Sequence, residues 1–380
     1  MNHISMKDIY ELINVKSSPC VSIYLPTEKA GKEVMQGKIL LKNLLKEGES
    51  QLLTPSMDES SINKMLKPAY DFVDDTMFWQ NCEHGLALFI TPENFTYYKV
   101  PTTFEPHITI SDDFQIIPIL QLATMNQDYY ILSLSQKKVR LFQCNPFEME
   151  EINLENIPTS LDEALQLDTP ERQLQSHPGT ASASQSVFHG HGGGEEDNKS
   201  LITRFMQKLS DAILTAMPYK DIPMITVGVE YINAIYKETN KYPHLIDKTI
   251  EGSPESFKEK DLKVAGDKIM SEENKKLVNK LHSQYDQIKA RGNGTEILSD
   301  IVAASYQGRV NDLVVASDAV QWGLFDEEKQ LTHIYDAKSP NAKNLVNMSA
   351  IKTLENNGKV YVFPSHQIPG QHKHFALFRY

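Results

Sequence analysis

The chain has 380 residues, of which 40% are hydrophobic and 23% charged, the composition of a globular protein that buries two or three cores. Its net charge of −12 excludes a protein that coats nucleic acid without sequence preference, because such proteins need clustered Lys and Arg to contact phosphate. The start of the chain lacks a basic region followed by an apolar core, and no apolar run reaches the length of a membrane span. We therefore expect a cytoplasmic protein without a membrane segment.

Charge is unevenly distributed along the chain. Residues 1–128 carry 10 basic and 17 acidic side chains, and residues 129–265 carry 14 and 20. Residues 266–380 carry 14 and 13, so only this last third is close to neutral. Any contact with RNA must be local, because most of the surface repels phosphate. The three cysteines lie far apart and form no CxxC pair, which argues against a disulfide framework or a structural zinc site.

The first third of the chain alternates amphipathic runs with short apolar runs. Apolar residues at helical spacing indicate helices, and β-branched or aromatic runs bounded by proline or glycine indicate strands. A further helix is expected to start at Pro118, since proline suits the first turn. The predicted helices are 6–14, 32–53 and 59–78, and the predicted strands are 19–27, 85–90 and 95–100.

The middle of the chain is predicted to start a new sheet with a β-hairpin at 130–144. Residues 145–187 are polar with little periodicity, so we expect a long surface excursion there. An amphipathic helix is predicted over 198–216. The continuous apolar run at 224–229 is typical of a strand in a covered parallel sheet.

The last third contains a long charged helix, from about 257 towards 290, and then shorter helices that alternate with strands. Such alternation along the whole chain predicts an α/β architecture rather than a helical bundle. We place three α/β domains at 1–125, 126–265 and 266–380. The predicted elements after the long helix are helices 295–307 and 341–356 and strands 312–316, 359–364 and 374–380.

One segment, 188–194, places four glycines and two histidines directly before a helix. Glycine permits left-handed conformations and lets another molecule approach the backbone closely. A helix start presents unpaired N–H groups that hold an oxyanion, and imidazole moves protons near neutral pH. The predicted catalytic set is His189 and His191 for acid–base chemistry, with Gly192, Gly193 and Gly194 as backbone donors.

Two other interpretations of this loop stay open. A flexible tether would use the glycines alone, although a tether needs neither histidines nor an adjoining helix. A metal site would combine His189 and His191 with Glu195, Glu196 or Asp197, which offer nitrogen and oxygen ligands. Spacing within a loop is weak evidence for a metal, and we predict neither a cofactor nor a bound metal.

Charged residues outside the loop provide further candidates. Lys137, Lys138 and Arg140 lie on the predicted hairpin, where they are candidates for RNA contact, with solvated turn charge as the simpler interpretation. Asp318 follows a buried strand, a position that suits catalysis in α/β folds, and capping of a following helix explains it equally well. The pair His372-x-His374 is expected on an exposed edge or turn.

The order of these segments resembles the archaeo-eukaryotic class 1 peptide-chain release factors and their Pelota relatives, and more closely a related bacterial release-factor-like family. Release factors carry a Gly-Gly-Gln motif before a helix with Arg-Phe, and here the glycine run precedes a helix with Arg204 and Phe205. The matches follow the family's order over most of the chain. They are the strand at 19–26, the loop at 189–194 with its helix, the passage at 308–318 and the strands at 358–363 and 376–380.

The resemblance implies an RNase H-like middle domain and a C-terminal domain like the kink-turn-binding ribosomal proteins. It also implies the ribosome or tRNA as partner and adds Arg204 to the RNA-binding candidates. Gly194 stands where the family has the glutamine that helps to place the attacking water, which puts release activity in question. No stop-codon-reading motif is found at 62–65, so codon-specific termination is not expected.

Three functions remain open from the sequence. The leading one is a translation-associated factor, like a release or ribosome-rescue factor, that hydrolyses peptidyl-tRNA or another ester at 188–194. The second is a binding protein without catalysis, whose loop becomes ordered on a partner. The third is a metal-assisted hydrolase. The sequence decides neither whether the protein is an enzyme nor its oligomeric state.

Overall fold

The computed structural model describes residues 4–28, 34–54, 57–125, 128–154, 160–161, 194–339 and 341–380. They form two compact units. The first unit combines Met1–Gln127 with Ser271–Tyr380, and the second is Asp128–Met270. Helices and strands alternate in both units, which confirms the predicted mixed α/β architecture. The division into three domains at 125 and 265 stays a prediction.

The N-terminal part of the first unit is an antiparallel sheet in the order β3-β2-β1-β4. Side chains of β1 and β2 alternate between two hydrophobic cores, because successive residues of a strand point to opposite faces. Both strands are therefore almost wholly buried. The elements are α1 Met6–Ile13, β1 Cys20–Pro26, α2 Val34–Leu52, α3 Glu59–Asp74, α4 Thr76–Gln80, β2 Gly85–Ile90, β3 Phe95–Val100, β4 His107–Ser111 and α5 Ile117–Thr124.

The helix predicted over 59–78 is in fact two helices, α3 and α4. Asp75 has an extended backbone, with ψ of 96°, so α3 ends before it. Its carboxylate accepts a hydrogen bond from the Phe78 N–H at 3.0 Å and thereby caps α4. The predicted helix was too long because Asp75 interrupts a continuous apolar pattern by local hydrogen bonding.

The second unit is built on a five-stranded sheet in the order β7-β6-β5-β8-β9. Strands β5, β6 and β7 are antiparallel neighbours, whereas β8 and β9 run parallel to β5. This is the segment for which an RNase H-like domain is predicted. Its elements, with the long helix that follows, are β5 Tyr129–Ser133, β6 Arg140–Cys144, β7 Met149–Ile152, α6 Gly194–Ala216, β8 Met224–Gly228, α7 Glu230–Thr239, β9 Ile250–Glu251 and α8 Glu259–Lys289.

The C-terminal part of the first unit contains a four-stranded sheet, β10-β16-β11-β15, and a three-stranded sheet, β13-β12-β14. Strands β11 and β15 are parallel, and β16 runs antiparallel to β11. The elements are β10 Gly294–Thr295, α9 Leu298–Tyr306, β11 Val310–Ala316, β12 Trp322–Asp326, β13 Leu331–Tyr335, β14 Lys343–Asn344, α10 Leu345–Glu355, β15 Lys359–Phe363 and β16 His374–Phe378.

Within the first unit, the N-terminal and C-terminal parts share one hydrophobic core and a buried polar joint. The Asn347 amide accepts a hydrogen bond from the Ile116 N–H at 2.8 Å and donates one to the Phe114 carbonyl at 2.9 Å. Asn344 donates to the Gln115 side chain at 3.1 Å. Because buried backbone groups need partners, these asparagines fix how α10 packs at the start of α5.

Candidate functional site

The predicted catalytic loop ends where the described part of the second unit resumes. His189, His191, Gly192 and Gly193 lie outside the described residues, so their roles stay predictions. Gly194 is the first residue of α6, which begins four residues before the predicted start at 198. The glycine run therefore leads directly into the helix, at the end where backbone N–H groups have no intrahelical acceptor and favour a negative charge.

Helix α6 is held on the sheet by an apolar face. Phe205 is 2% exposed, and the rest of this face packs into the same core. Burying each such side chain stabilises the unit by about 1.5–3 kcal/mol. Arg204 points away from that core and is exposed. The helix thus presents an arginine from a fixed backbone position ten residues after Gly194.

The turn between β5 and β6 contains the predicted basic residues. Lys137 and Lys138 are exposed, and Glu255 and Glu151, respectively, are near enough to interact with their charges. The Lys137 N–H donates to the Ser135 hydroxyl at 3.1 Å, which fixes the turn. Both ammonium groups are exposed to an anionic partner, and their RNA-binding role stays a prediction.

Arg140 differs from the two lysines because carboxylates already neutralise it. Its guanidinium pairs with Glu151 at 2.6 Å and also with Glu259, and it lies 4.5 Å from the centre of the Phe142 ring. The hydrogen bonds that the guanidinium donates to Glu151 and Glu259 raise its pKa, against the effect of burial. A phosphate at Arg140 would have to displace these carboxylates. Lys137, Lys138 and Arg204 are the candidates that remain available.

Four further polar side chains lie after the strands β5, β8 and β9, in the region where α/β folds commonly bind ligands. They are not among the residues predicted from the sequence. The Ser135 hydroxyl donates to the Glu255 carboxylate at 2.5 Å, and the Gln136 amide donates to the Tyr231 hydroxyl at 2.6 Å. The hydrogen bond from Ser135 lowers the pKa of Glu255. Glu255 is therefore a weak base, and the arrangement lacks a group suited to proton transfer at neutral pH. Only its position in the fold could have indicated it.

Cys144 lies in the second unit, where burial keeps its thiol protonated. The Tyr129 hydroxyl donates to Asp267 at 2.8 Å, and the Lys263 ammonium lies 2.7 Å from the same carboxylate. Burial raises the pKa of Cys144 to about 12. The thiol is protonated at neutral pH and cannot act as a thiolate nucleophile.

The pair His372 and His374 is not on an exposed edge, contrary to expectation. The His372 imidazole pairs with Glu296 at 2.7 Å and stacks on His282, with ring centres 5.7 Å apart. Burial, followed by the charges of His372 and Lys373, lowers the pKa of His374. These contacts join β16 to α8 and are structural. Within the part of the chain that the structure describes, no group of three or more His, Cys, Asp or Glu side chains is placed to hold a metal ion.

Asp318 has a structural partner as well. Its carboxylate accepts a hydrogen bond from the Ser365 hydroxyl. The two residues follow the parallel strands β11 and β15, so the bond joins the ends of these strands. The next element after Asp318 is strand β12, so the helix-cap interpretation is wrong.

The first unit contains a groove of about 1470 Å³ between its N-terminal and C-terminal parts. Strand β4 lines one side, and the ion pair between Lys343 and Asp112, 2.8 Å long, lies along it. The hydrogen bond from Lys343 lowers the pKa of Asp112. The second unit contains the described residues of the predicted catalytic and RNA-binding sets: Lys137, Lys138, Arg140, Gly194 and Arg204.

Comparison with protein families bears on the second unit. Residues 129–272 match the family described as "Bacterial archaeo-eukaryotic release factor family 7". The match covers 144 of the 380 residues and confirms the resemblance over this segment. The matched segment contains helix α6 and the turn with Lys137 and Lys138. No curated protein matches the chain.

Solved structures of similar proteins include an archaeal translation termination factor, aRF1, with 13% identity and a TM-score of 0.25, covering 100% of this chain and 99% of that one. Dom34 of S. cerevisiae has 7% identity and a TM-score of 0.42, covering 76% and 73%. Ribosome-bound archaeal Pelota, in a model with ABCE1, has 12% identity and a TM-score of 0.40, covering 100% and 95%. Because each of these TM-scores lies below 0.5, no conclusion about this chain rests on these structures. Among the described residues, no helix combines the length and apolar composition needed to cross a bilayer.

Proposed function

Because residues 129–272 match a release-factor family, we propose that this protein is a translation-associated factor that acts at the ribosome or on tRNA. The family match is the observation that carries the proposal. The structure of the same segment supports it, since Arg204 is exposed on a helix that begins directly at the glycine run. Lys137 and Lys138 add two exposed cations in the same unit. The protein would work in the cytoplasm, where ribosomes are found, and without a stop-codon-reading step.

The chemistry proposed for the loop at 188–194 is hydrolysis of an ester such as that of peptidyl-tRNA. Backbone N–H groups of the glycines, next to the start of α6, would stabilise the oxyanion of the tetrahedral intermediate, commonly a large contribution to catalysis. His189 or His191 would take the proton from the attacking water and return it to the alcohol oxygen that leaves when the ester C–O bond breaks. The family's glutamine is absent, since Gly194 occupies its place, so in this proposal a histidine positions the water.

Binding is tested by co-sedimentation of the full chain with bacterial ribosomes. The variant Lys137→Glu/Lys138→Glu/Arg204→Glu reverses the three available cations. Three lost phosphate contacts predict binding weaker by at least tenfold at low salt. A matched control, Lys220→Glu/Lys260→Glu/Lys268→Glu, makes the same charge change at exposed lysines of the same unit and should bind almost as the unmodified protein does. Equal loss in both variants would reduce the effect to net charge and contradict the proposed site.

Catalysis is tested separately, by release of the peptide from ribosome-bound peptidyl-tRNA. His189→Ala/His191→Ala should abolish release and leave co-sedimentation unchanged. His333→Ala, at an exposed histidine of β13, is the matched control and should retain full activity. If the unmodified protein binds ribosomes but releases no peptide, the binding protein without catalysis is the correct alternative, a result that the missing glutamine favours.

A further inference from the structure

Strand β3 is an open edge of the N-terminal sheet. It pairs with β2 over six consecutive residues without a shift in register and lies at the end of the strand order. Among the described residues, no backbone hydrogen bond reaches the other side of β3. A regular strand edge of this length offers a row of N–H and C=O groups that an added strand can pair with.

The features that usually block such an edge are absent from β3. Proteins protect edge strands with charged side chains, prolines or bulges, or they cover them. The only charged residue of β3 is Lys99, and its ammonium donates to the carbonyl groups of Phe78 at 3.1 Å and Asn81 at 2.9 Å. It also lies 4.1 Å from the centre of the Phe78 ring. Lys99 is therefore turned onto α4 and does not guard the edge.

An aromatic surface adjoins this edge. We call it the β3 aromatic patch: the rings of Phe72, Phe95 and Tyr97, which contact the buried Phe78 ring, and the exposed Met77 next to Phe78 in the chain. The Phe72 ring is 3.9 Å from Phe78, 5.4 Å from Phe95 and 4.9 Å from Tyr97, measured between ring centres. Tyr97 is 42% exposed and Met77 65% exposed. Aromatic and methionine side chains of this kind are enriched where proteins bind one another.

Exposed carboxylates are close in the chain to the residues of the β3 aromatic patch. Asp71, Asp74 and Asp75 lie next to or between Phe72 and Phe78, and Glu93 lies two residues before Phe95. The Asp74 side chain is 91% exposed, and it lies 3.9 Å from the Lys38 ammonium of α2. Together with the net charge of −7 over residues 1–128, this repels nucleic acid and attracts a basic partner.

We propose that the edge of β3 binds an extended, Lys- and Arg-rich polypeptide segment, which adds to the sheet as a further antiparallel or parallel strand. Its backbone pairs with β3, its apolar side chains contact the β3 aromatic patch, and its cations face the surrounding carboxylates. This interaction does not depend on the function proposed for the second unit, because all of the residues involved belong to residues 71–100 of the first unit.

The test measures fluorescence anisotropy of a labelled peptide of about ten residues, alternating Lys with Val, on titration with the full chain. The same peptide with alternate amides N-methylated keeps its charge but cannot donate the backbone hydrogen bonds, and its binding should be lost. Equal affinity of the methylated peptide would overturn strand addition. Tighter binding of a Glu-Val peptide, or of a single-stranded RNA oligonucleotide, would overturn the choice of a basic polypeptide.

Charge variants locate the site on the protein. Asp71→Lys/Asp74→Lys/Glu93→Lys should weaken binding about tenfold, since each exposed charge pair contributes modestly and three are reversed. Asp75 is left unchanged because it caps α4. The matched control reverses three other exposed carboxylates of the same segment, Glu28, Glu47 and Glu105, and should bind nearly as the unmodified protein does. Equal loss in the two variants would overturn the assignment to β3.

Discussion

The polar joint at Asn347 gives the sharpest prediction about stability. Asn347 is 1% exposed, and its side chain provides the hydrogen-bond partners of both the Ile116 N–H and the Phe114 carbonyl. No side chain of the α5 segment itself caps the helix at Ile116. The Asn347 side chain of α10 caps it instead, by accepting the hydrogen bond from the Ile116 N–H. The variant Asn347→Ala removes both bonds at once and leaves two buried backbone groups without partners.

The size of the effect follows from those two groups. Each buried donor or acceptor that loses its partner costs about 1–3 kcal/mol, so the variant should lose about 3 kcal/mol of unfolding free energy. For a large unit with a urea dependence of about 3 kcal/mol per molar, the urea midpoint falls by about 1 M. Asn311→Ala, at an exposed asparagine of β11, is the control and should shift the free energy by less than about 0.5 kcal/mol.

Tryptophan fluorescence isolates the first unit in this assay. The chain has two tryptophans, Trp79 and Trp322, and both belong to the first unit. Urea unfolding followed by tryptophan emission therefore reports on that unit, while far-UV circular dichroism reports on both. An Asn347→Ala midpoint within about 0.2 M of the unmodified protein would show that water or backbone movement replaces the lost partners, and it would refute the buried-joint argument.

Three further changes test other contacts. Burial lowers the folded-state pKa of His374 from its ordinary 6.5, so folding favours the neutral imidazole. The contribution of neutral His374 to the free energy of unfolding is complete above about pH 6.5 and is lost as the pH falls further. The urea midpoint measured by tryptophan emission should thus fall less steeply between about pH 7 and 5.5 in His374→Phe than in the unmodified protein. The same pH dependence of the midpoint in both proteins would contradict this. A Cβ on Gly323 would lie 2.2 Å from the His333 carbonyl oxygen and 2.6 Å from Leu345. Gly323→Ala should therefore lower the free energy of unfolding by about 1–3 kcal/mol in the same urea assay. An unchanged urea midpoint would mean that strands β12 and β13 move apart without an energetic cost. Arg140→Ala removes two partly exposed ion pairs and should lower the stability of the second unit by about 1 kcal/mol, measured by circular dichroism; a much larger loss would indicate that the guanidinium holds β6 to α8.

The regular elements could be predicted from the sequence because their patterns are local. Strands β2 and β3 lie where the apolar runs at 85–90 and 95–100 place them, and the hairpin of β5 and β6 begins one residue before the predicted 130–144 and ends with it at Cys144. Strand β4 was missed although His107–Ser111 alternates polar and apolar residues, because the run is only five residues long and its pairing with β1 defines it. Strand β7 lies within the predicted surface excursion at 145–187. It was missed because it has only four residues, two of them Glu, and the pairing with β6 defines it.

The candidate site was less accessible to prediction. Exposure of Arg204 and burial of Phe205 follow from the helical period, so the sequence was sufficient there. The neutralisation of Arg140 was not predictable, because Glu259 is far along the chain and is brought to β6 only by the packing of α8. The asparagine joint is equally non-local, since Asn347 and Ile116 are 231 positions apart.

The central claim, action at the ribosome, is tested most directly by the salt dependence of co-sedimentation. The full chain and a variant that lacks 188–194 are mixed with stalled ribosomes across a salt series from about 50 to 200 mM. Three phosphate contacts by Lys137, Lys138 and Arg204 predict a slope of about −2 to −3 in the logarithm of the binding constant against that of salt, with weaker binding after the deletion. No binding by the full chain even at the lowest salt would contradict the claim.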